Sequence, residues 1–167
     1  MKIHYLKPKI NLYTRFLVDS MIKEARLTAK DKILEVGCGM GRFSNQLIEK
    51  GYKMKCIDNN KDNVSRFPQG EFMDFFDVKE KYDKVIGFYI LHHVEDLSLF
   101  MNKLKQISNI YCFIEPSPYV PLWYLAPLFR FYWKGVNWKD EKYWKIVKKN
   151  FPDSQIKNHW LWRIVKN

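Results

Sequence analysis

The 167-residue sequence lacks several features that define common protein classes. It has three cysteines, Cys38, Cys56 and Cys112, and no Cys-x-x-Cys pair, so a disulfide framework is not expected. Its longest uncharged stretch, residues 116–129, is shorter than the ~18 apolar residues that a membrane-spanning helix needs. No apolar run near Met1 could serve as a signal peptide. We therefore expect a reduced, cytoplasmic protein.

Two ligand-binding patterns are also missing. There is no G-x-x-x-x-G-K-[ST] segment, so a nucleoside triphosphate site has no support. Nor is there a cluster of acidic residues with metal-ligand spacing, and we expect no metal ion.

The composition that remains is typical of one globular domain. Hydrophobic residues make up 47% of the chain and charged residues 28%, which argues against disorder. The net charge of +11 is uneven, because residues 117–167 hold ten basic and three acidic residues. The same segment contains all six tryptophans. One domain thus carries a basic, aromatic C-terminal region.

Short apolar strands alternate with helical patterns between residues 11 and 114. The expected strands are 32–36, 53–57, 71–73, 84–88 and 110–114. The expected helices are 11–27, 43–50 and 96–107, and residues 60–66 are expected to form a short helix or turn. A further helix at 140–150 and strands near 155–158 and 161–166 follow an aromatic insertion. This order predicts an α/β fold with a doubly wound, mostly parallel sheet.

A glycine-rich turn follows the first predicted strand. Glycines at 37, 39 and 41 allow a tight turn and a close approach of ligand to backbone. The dinucleotide fingerprint G-x-G-x-x-G is broken, since Arg42 occupies its last position. Glu35, two residues before the turn, would repel a diphosphate and favour a cationic ligand. Asp58 ends the second strand, where a carboxylate can accept both hydroxyls of a ribose.

The segment from Ile33 to Gly41 resembles the first motif of class I S-adenosylmethionine-dependent methyltransferases. The resemblance continues in order through Asp58, Asp74-Phe75, the 82–86 strand, the 91–94 segment and 114–116, and covers about residues 30–116. It implies that Glu35 and the glycines surround the methionine part of the cofactor, Asp58 the ribose, and Asp74 and Phe75 the adenine. The expected cofactor-binding residues are Glu35, Gly37, Cys38, Gly39, Gly41, Asp58, Asn59, Asp74, Phe75 and Tyr89, with Cys38 as a space-filler.

The candidate catalytic residues are His92, His93 and Glu115. A base is useful only if the methyl acceptor is still protonated at neutral pH, and imidazole titrates in that range. Alternatively, one histidine starts a helix and the other packs, and Glu115 anchors the turn at Pro116. Gly87-Phe88-Tyr89-Ile90 stands where amino-methylating nucleic-acid enzymes commonly have an Asn or Asp-Pro-Pro-aromatic motif, which disfavours that chemistry.

Residues 117–139 are expected to form a lid over the acceptor, beside the 30–116 core and the 140–167 terminal elements. The acceptor is expected to be a small or lipid-linked molecule, with weak contact of lysines 142–149 to anionic membrane surfaces. RNA methylation, with aromatic residues stacking on bases, is the first alternative. A non-catalytic cofactor-binding partner subunit is the second.

Overall fold

The computed structural model describes residues 12–117, 141–159 and 162–167. Seven strands and five α-helices occur in these ranges. The strands are β1 (Ile33–Val36), β2 (Met54–Asp58), β3 (Gly70–Phe72), β4 (Lys84–Phe88), β5 (Tyr111–Pro116), β6 (Gln155–Asn158) and β7 (Trp162–Lys166). The helices are α1 (Leu12–Glu24), α2 (Ser44–Glu49), α3 (Lys61–Val64), α4 (Leu97–Ile107) and α5 (Glu141–Asn150).

All seven strands form one sheet in the order β3-β2-β1-β4-β5-β7-β6. The first five strands pair in parallel, and β7 pairs antiparallel with both β5 and β6. Strand order reverses at β1, where the chain turns from β2 and β3 on one side to β4 and β5 on the other. In such sheets ligands bind beyond the carboxyl ends of the strands at this switch point. The predicted α/β, mostly parallel fold is confirmed.

Helices cover both faces of the sheet. On one face, Leu17 and Met21 of α1 and Leu47 of α2 pack against Ile33 and Ile86 of the central strands. On the other face, the buried residues of α4 and α5 pack against alternate strand positions, and they are Leu97, Phe100, Met101, Leu104, Ile107, Trp144 and Val147. These two faces are called the α1 face and the α4 face below.

The helix ends follow local hydrogen bonding. Asp96 caps α4 by accepting a hydrogen bond from the amide of Leu99. The first helix ends at Glu24, earlier than the predicted residue 27, because Arg26 adopts a left-handed conformation with φ of 49°. The amide of Leu27 then bonds back to the carbonyl of Ile22, which closes the helix as a Schellman motif.

The elements after the insertion match their predicted positions. Helix α5, β6 and β7 lie within one or two residues of the expected ranges. The predicted lid at 117–139 falls outside the described residues, apart from Ser117, which is buried. The division into core, lid and terminal elements stays a prediction. Within the described ranges, no helix is both long and apolar enough to cross a membrane.

Candidate functional site

A cavity of about 390 Å³ opens at the carboxyl ends of β1 and β2, on the α4 face. Its wall combines apolar side chains with a smaller number of polar ones. The lining residues are Val36, Gly37, Ile57, Asp58, Asn59, Met73, Asp74, Phe75, Phe76, Ile90, His93, Val94, Glu95, Asp96, Leu99 and Phe100. The cavity lies where the strand order reverses, as the fold predicts.

The glycine turn forms the wall of this cavity nearest β1. Gly37 and Gly41 have φ of 72° and 73°, a left-handed conformation that favours glycine. A Cβ at Gly37 would lie 2.5 Å from the side chain of Ile90, and one at Gly41 would collide with Phe67. Glycine at 37 therefore lets the segment after β4 pack directly against the turn.

Asp58, at the end of β2, joins the turn to the cavity. One carboxylate oxygen accepts a 2.7 Å hydrogen bond from the amide of Gly39, and the other accepts a 2.8 Å bond from the amide of Asn60. Asp58 is 8% exposed and lines the cavity. Two carboxylate oxygens offer about four acceptor positions, so hydrogen bonding to the backbone leaves capacity for a ligand.

Asp74 and Phe75 lie across the cavity from the glycine turn. Asp74 precedes a short 3₁₀ turn and accepts a 2.8 Å hydrogen bond from the amide of Phe76. The buried ring of Phe75 lies 4.4 Å from that of Phe100 on α4. Together with Leu99, these contacting rings make an apolar surface of the cavity wall, which the nearby Asp74 also lines.

Glu35 lies outside the cavity wall. In β1, Leu34 and Val36 face α4, so Glu35 points to the opposite face, toward the start of α2. Its side chain is 1% exposed, and one of its oxygens has no hydrogen-bond partner within the described residues. Burial raises the pKa of Glu35 to about 7, with a smaller contribution from the charge of Asp58. The polar groups of the neighbouring Ser44 and Cys56 side chains lower this pKa and so act in the opposite direction.

Three other residues of the predicted cofactor set also lie behind the cavity wall. Cys38 is buried against Cys56 and Phe67, and burial raises the pKa of its thiol, so a thiolate is disfavoured. Gly39 contacts the site through its amide bond to Asp58. Gly41 packs on Phe67. Of the ten predicted residues, Gly37, Asp58, Asn59, Asp74 and Phe75 line the cavity.

Glu115, at the end of β5, holds the segment that follows β4. One carboxylate oxygen accepts 2.8 Å hydrogen bonds from the amides of Ile90 and Leu91. The other oxygen lies 2.7 Å from Nδ1 of His92. The side chains of His92 and Glu115 are 4% and 0% exposed. The structure thus brings these two predicted catalytic residues together as a buried pair.

His93, by contrast, lines the cavity. Its ring centroid lies 4.1 Å from that of His92. Burial lowers the pKa of His93, and the neighbouring His92 lowers it further. An imidazole with a lowered pKa is neutral at pH 7 and has a free lone pair that can accept a proton.

Tyr89 turns away from the cavity. Strand alternation would point its side chain to the α4 face, but its φ of 58° directs it to the α1 face, among the residues packed on α1 and α2. There its hydroxyl lies 2.5 Å from that of Tyr13, and its ring meets Phe43 edge-on. Sequence reasoning singled out Tyr89 but missed Tyr13.

Sequence reasoning also missed the α4 side of the cavity. Ile90, Val94, Glu95, Leu99 and Phe100 line it. The helix at 96–107 was predicted from the sequence, but Phe100 was not assigned to the site. The signal that could have found the others is their position directly after β4, whose carboxyl end meets that of β1 in a parallel sheet.

Comparison with known proteins gives a consistent assignment. A family model described as a methyltransferase domain matches residues 5–142. A ubiquinone biosynthesis O-methyltransferase of Azorhizobium caulinodans is 26% identical over 91 residues, which are 47% of this chain and 36% of that enzyme. The enzyme of the same name from Pelagibacter ubique is 24% identical over 56% of this chain and 46% of its own length. The chain therefore aligns with less than half of each of these curated relatives.

Solved structures show the same fold at low identity. Magnesium protoporphyrin IX methyltransferase of Synechocystis, with S-adenosylhomocysteine (SAH) bound, superposes with a TM-score of 0.65 at 16% identity, covering 97% of this chain and 89% of that one. A methyltransferase of Aquifex aeolicus described as S-adenosylmethionine-dependent gives a TM-score of 0.65 at 13% identity over 95% of this chain and 98% of its own.

Proposed function

The chain belongs to the methyltransferase domain family, and on that premise we propose that it transfers a methyl group from S-adenosylmethionine (SAM) to a small or lipid-linked acceptor. The observation that carries the proposal is the cavity at the switch point. This cavity of about 390 Å³ is lined by Gly37 of the glycine turn and by Asp58, Asp74 and Phe75.

The chemistry of the cavity wall fits this cofactor. The apolar surface formed by Phe75, Leu99 and Phe100 suits one face of a flat heterocycle, and Asp74 at its border can accept from an exocyclic amino group. Asp58 accepts bonds from the amides of Gly39 and Asn60 and a 3.4 Å bond from Nδ2 of Asn63, and its remaining acceptor position suits a ribose hydroxyl. Gly37 leaves room for a ligand close to the backbone. When bound, SAM would supply a methyl group activated by its sulfonium; the acceptor would bond to the methyl carbon as the C–S bond breaks, and SAH would be left as a neutral thioether.

The chain's own residues contribute positioning and, for a hydroxyl acceptor, proton transfer. His93 lines the cavity and is neutral at pH 7, so its free nitrogen lone pair can take the proton of the acceptor. Glu115 and His92 lie behind it. By holding the amides of Ile90 and Leu91, Glu115 fixes the segment that carries both histidines. This supports a role for His93 in proton transfer and for His92 and Glu115 in its positioning.

Oxygen is the acceptor atom that we propose. Two relatives are named ubiquinone biosynthesis O-methyltransferases, which supports a hydroxyl on a lipid-linked ring. The exposed lysines 142, 145, 148 and 149 of α5 are compatible with an anionic membrane surface near such an acceptor.

Calorimetry tests the cofactor, and acceptor panels test the chemistry. SAM and SAH should bind, and NAD should not. Labelled methyl groups from SAM should then appear in a phenolic or lipid-extract acceptor. If the protein binds neither SAM nor SAH, the proposal is wrong. Methylation of structured RNA, together with affinity that falls steeply as salt rises, would replace the small acceptor by RNA.

A further inference from the structure

The cavity wall is acidic. Four carboxylates line it, those of Asp58, Asp74, Glu95 and Asp96, and within the described part of the chain no lysine or arginine does. Among the described lining residues, His93 is the only other titratable group. Burial lowers the pKa of His93, so its ring adds no positive charge at neutral pH. The part of the wall formed by described residues therefore carries net negative charge.

Three of these carboxylates are already hydrogen-bonded to the backbone. Asp58 accepts from Gly39 and Asn60, Asp74 from Phe76, and Asp96 from Leu99. Such bonds hold the carboxylates in place but leave their net charge unchanged. Glu95, in contrast, precedes the Asp96 cap of α4 and is exposed at the cavity rim. It is the acid that can be changed with least disturbance to loop structure.

The reaction changes the charge of the ligand. SAM has a sulfonium, an ammonium and a carboxylate, and a net charge of +1, whereas SAH has lost the sulfonium charge and is neutral overall. A sphere of 390 Å³ is about 9 Å across, close to the Debye length of ~8 Å at physiological salt. Most positions in the cavity therefore lie within one Debye length of a wall carboxylate, so a charge there is only partly screened at physiological salt.

We propose that the acidic cavity wall, with Glu95 as its adjustable member, discriminates SAM from SAH by charge. The proposal rests on the proposed function, since it assumes that both ligands occupy this cavity. Loss of the sulfonium charge removes the attraction and leaves the apolar and hydrogen-bonding contacts unchanged. The wall thus favours exchange of the product for a new cofactor and weakens product inhibition.

The test measures how the ratio of SAM to SAH affinity responds to charge. Titration calorimetry gives the dissociation constants of both ligands at about 25 mM and about 500 mM salt. Sinefungin, which has an ammonium where SAM has its sulfonium, serves as a cationic ligand without the transferable methyl group. High salt should weaken SAM and sinefungin about three- to tenfold relative to SAH.

Two substitutions of Glu95 change the charge of the wall by one and by two units, so their effects on the ratio of SAM to SAH affinity can be compared. Glu95→Gln should lower the SAM-to-SAH affinity ratio about two- to fourfold at low salt, and Glu95→Lys about twice as far on a logarithmic scale, while the dissociation constant of SAH stays within about twofold. Glu80→Gln is the matched control. Glu80 precedes β4 at the opposite edge of the sheet, and its exposed pair with Lys32 contributes little to stability.

The outcomes separate this inference from the proposed function. Equal weakening of SAM and SAH by the Glu95 substitutions would mean that Glu95 acts through shape, and the inference would be wrong. A ratio insensitive to salt and to both substitutions would also overturn it. If wild-type protein binds neither ligand, the proposed function itself fails. Product inhibition of turnover by SAH should increase in Glu95→Lys, which supplies a second readout.

Discussion

Two loops at the carboxyl edge of the sheet are held in the same way but serve different ends. After β1, the glycine turn is held by Asp58 of the neighbouring strand β2. After β4, the histidine segment is held by Glu115 of the neighbouring strand β5. In both cases a carboxylate at a strand end accepts backbone amide hydrogen bonds from the adjacent loop.

The difference lies in where the rest of each carboxylate points. Asp58 lines the cavity and keeps acceptor positions for a ligand, whereas Glu115 is fully buried and its second oxygen bonds His92. A carboxylate of this kind can therefore combine support with ligand contact, or provide support alone. The two cases differ in that Asp58 lines the cavity, whereas the second oxygen of Glu115 is bonded to His92.

The largest predicted effect is a loss of catalytic rate on substitution of His93, the residue by which the segment held by Glu115 reaches the cavity. If the acceptor is a hydroxyl, His93→Gln should lower kcat about 10²–10⁴-fold and leave SAM affinity nearly unchanged, because a general base acts only in the chemical step. Because the pKa of His93 is lowered from 6.5, the wild-type rate should fall only below that pH as the ring protonates, and the variant should lack this dependence.

His159→Gln is the control for that measurement, since His159 lies between β6 and β7 and stacks on Trp162, away from the cavity wall. A turnover rate independent of both His92 and His93 between about pH 6 and 9 would show that positioning alone drives catalysis.

The second largest effect concerns Glu115, which supports its loop without contacting the cavity. Glu115→Gln replaces the carboxylate that accepts from the amides of Ile90 and Leu91 and bonds His92 by a neutral amide. We therefore expect the free energy of unfolding to fall by about 2–4 kcal/mol. Urea denaturation measures this. Glu71→Gln, which breaks an exposed pair with Lys55, should cost less than about 1 kcal/mol. If both variants lost the same free energy of unfolding, Glu115 would stabilise the protein no more than an exposed ion pair does, and its role in holding the loop after β4 would be refuted.

Asp58→Asn tests the carboxylate that both supports its loop and faces the cavity. We expect SAM affinity to weaken by about 1.5–3 kcal/mol, because charge-assisted hydrogen bonds to the ligand are lost. Calorimetry on the folded variant measures it, with Asp77→Asn as a nearby control outside the cavity wall. Unchanged affinity would remove Asp58 from the binding site and leave it a purely structural role.

The smallest predicted effect is a pH dependence of stability caused by Glu35. Unlike Asp58 and Glu115, this buried carboxyl accepts no hydrogen bond from a loop amide within the described residues. Its folded-state pKa of about 7 exceeds the ordinary 4.5, so the folded protein holds the proton over a range where the unfolded chain has lost it. Stability should therefore decrease as pH rises from about 4.5 to 7, by about 1–2 kcal/mol. Denaturation of Glu35→Gln should lack this decrease, and Glu71→Gln should retain it. A parallel decrease in both variants would assign it to other groups.

The sequence predicted the sheet well because its signals are local. Short apolar strands, a glycine turn and the apolar face of α4 each follow from spacing within a few residues. The end of α1 was predicted too late, because Arg26 occupies the left-handed position where glycine usually marks a helix end. Nothing in the local sequence distinguishes that arginine from one inside a helix.

The candidate site was only partly predictable for a related reason. Asp58 and Asp74 follow strands, so their position at the carboxyl edge could be expected. The direction of Tyr89 depends on a positive φ in a bulky residue, which sequence patterns do not indicate. The separate positions of His92 and His93 depend on Glu115, more than twenty residues away, and such a contact appears only in the folded chain.

The placement of β7 has a consequence for folding during synthesis. This strand lies between β5 and β6, although it follows both along the chain. When β6 leaves the ribosome it has no neighbour in the sheet, and the outer edge of β5 still exposes its unpaired amides and carbonyls. When residues 162–166 emerge, β7 pairs with β5 on one side and with β6 on the other, so both strands gain their missing neighbour in one step. Until then a parallel sheet of the first five strands has an open edge at β5 in addition to the one at β3, and binding by a chaperone would protect this state most.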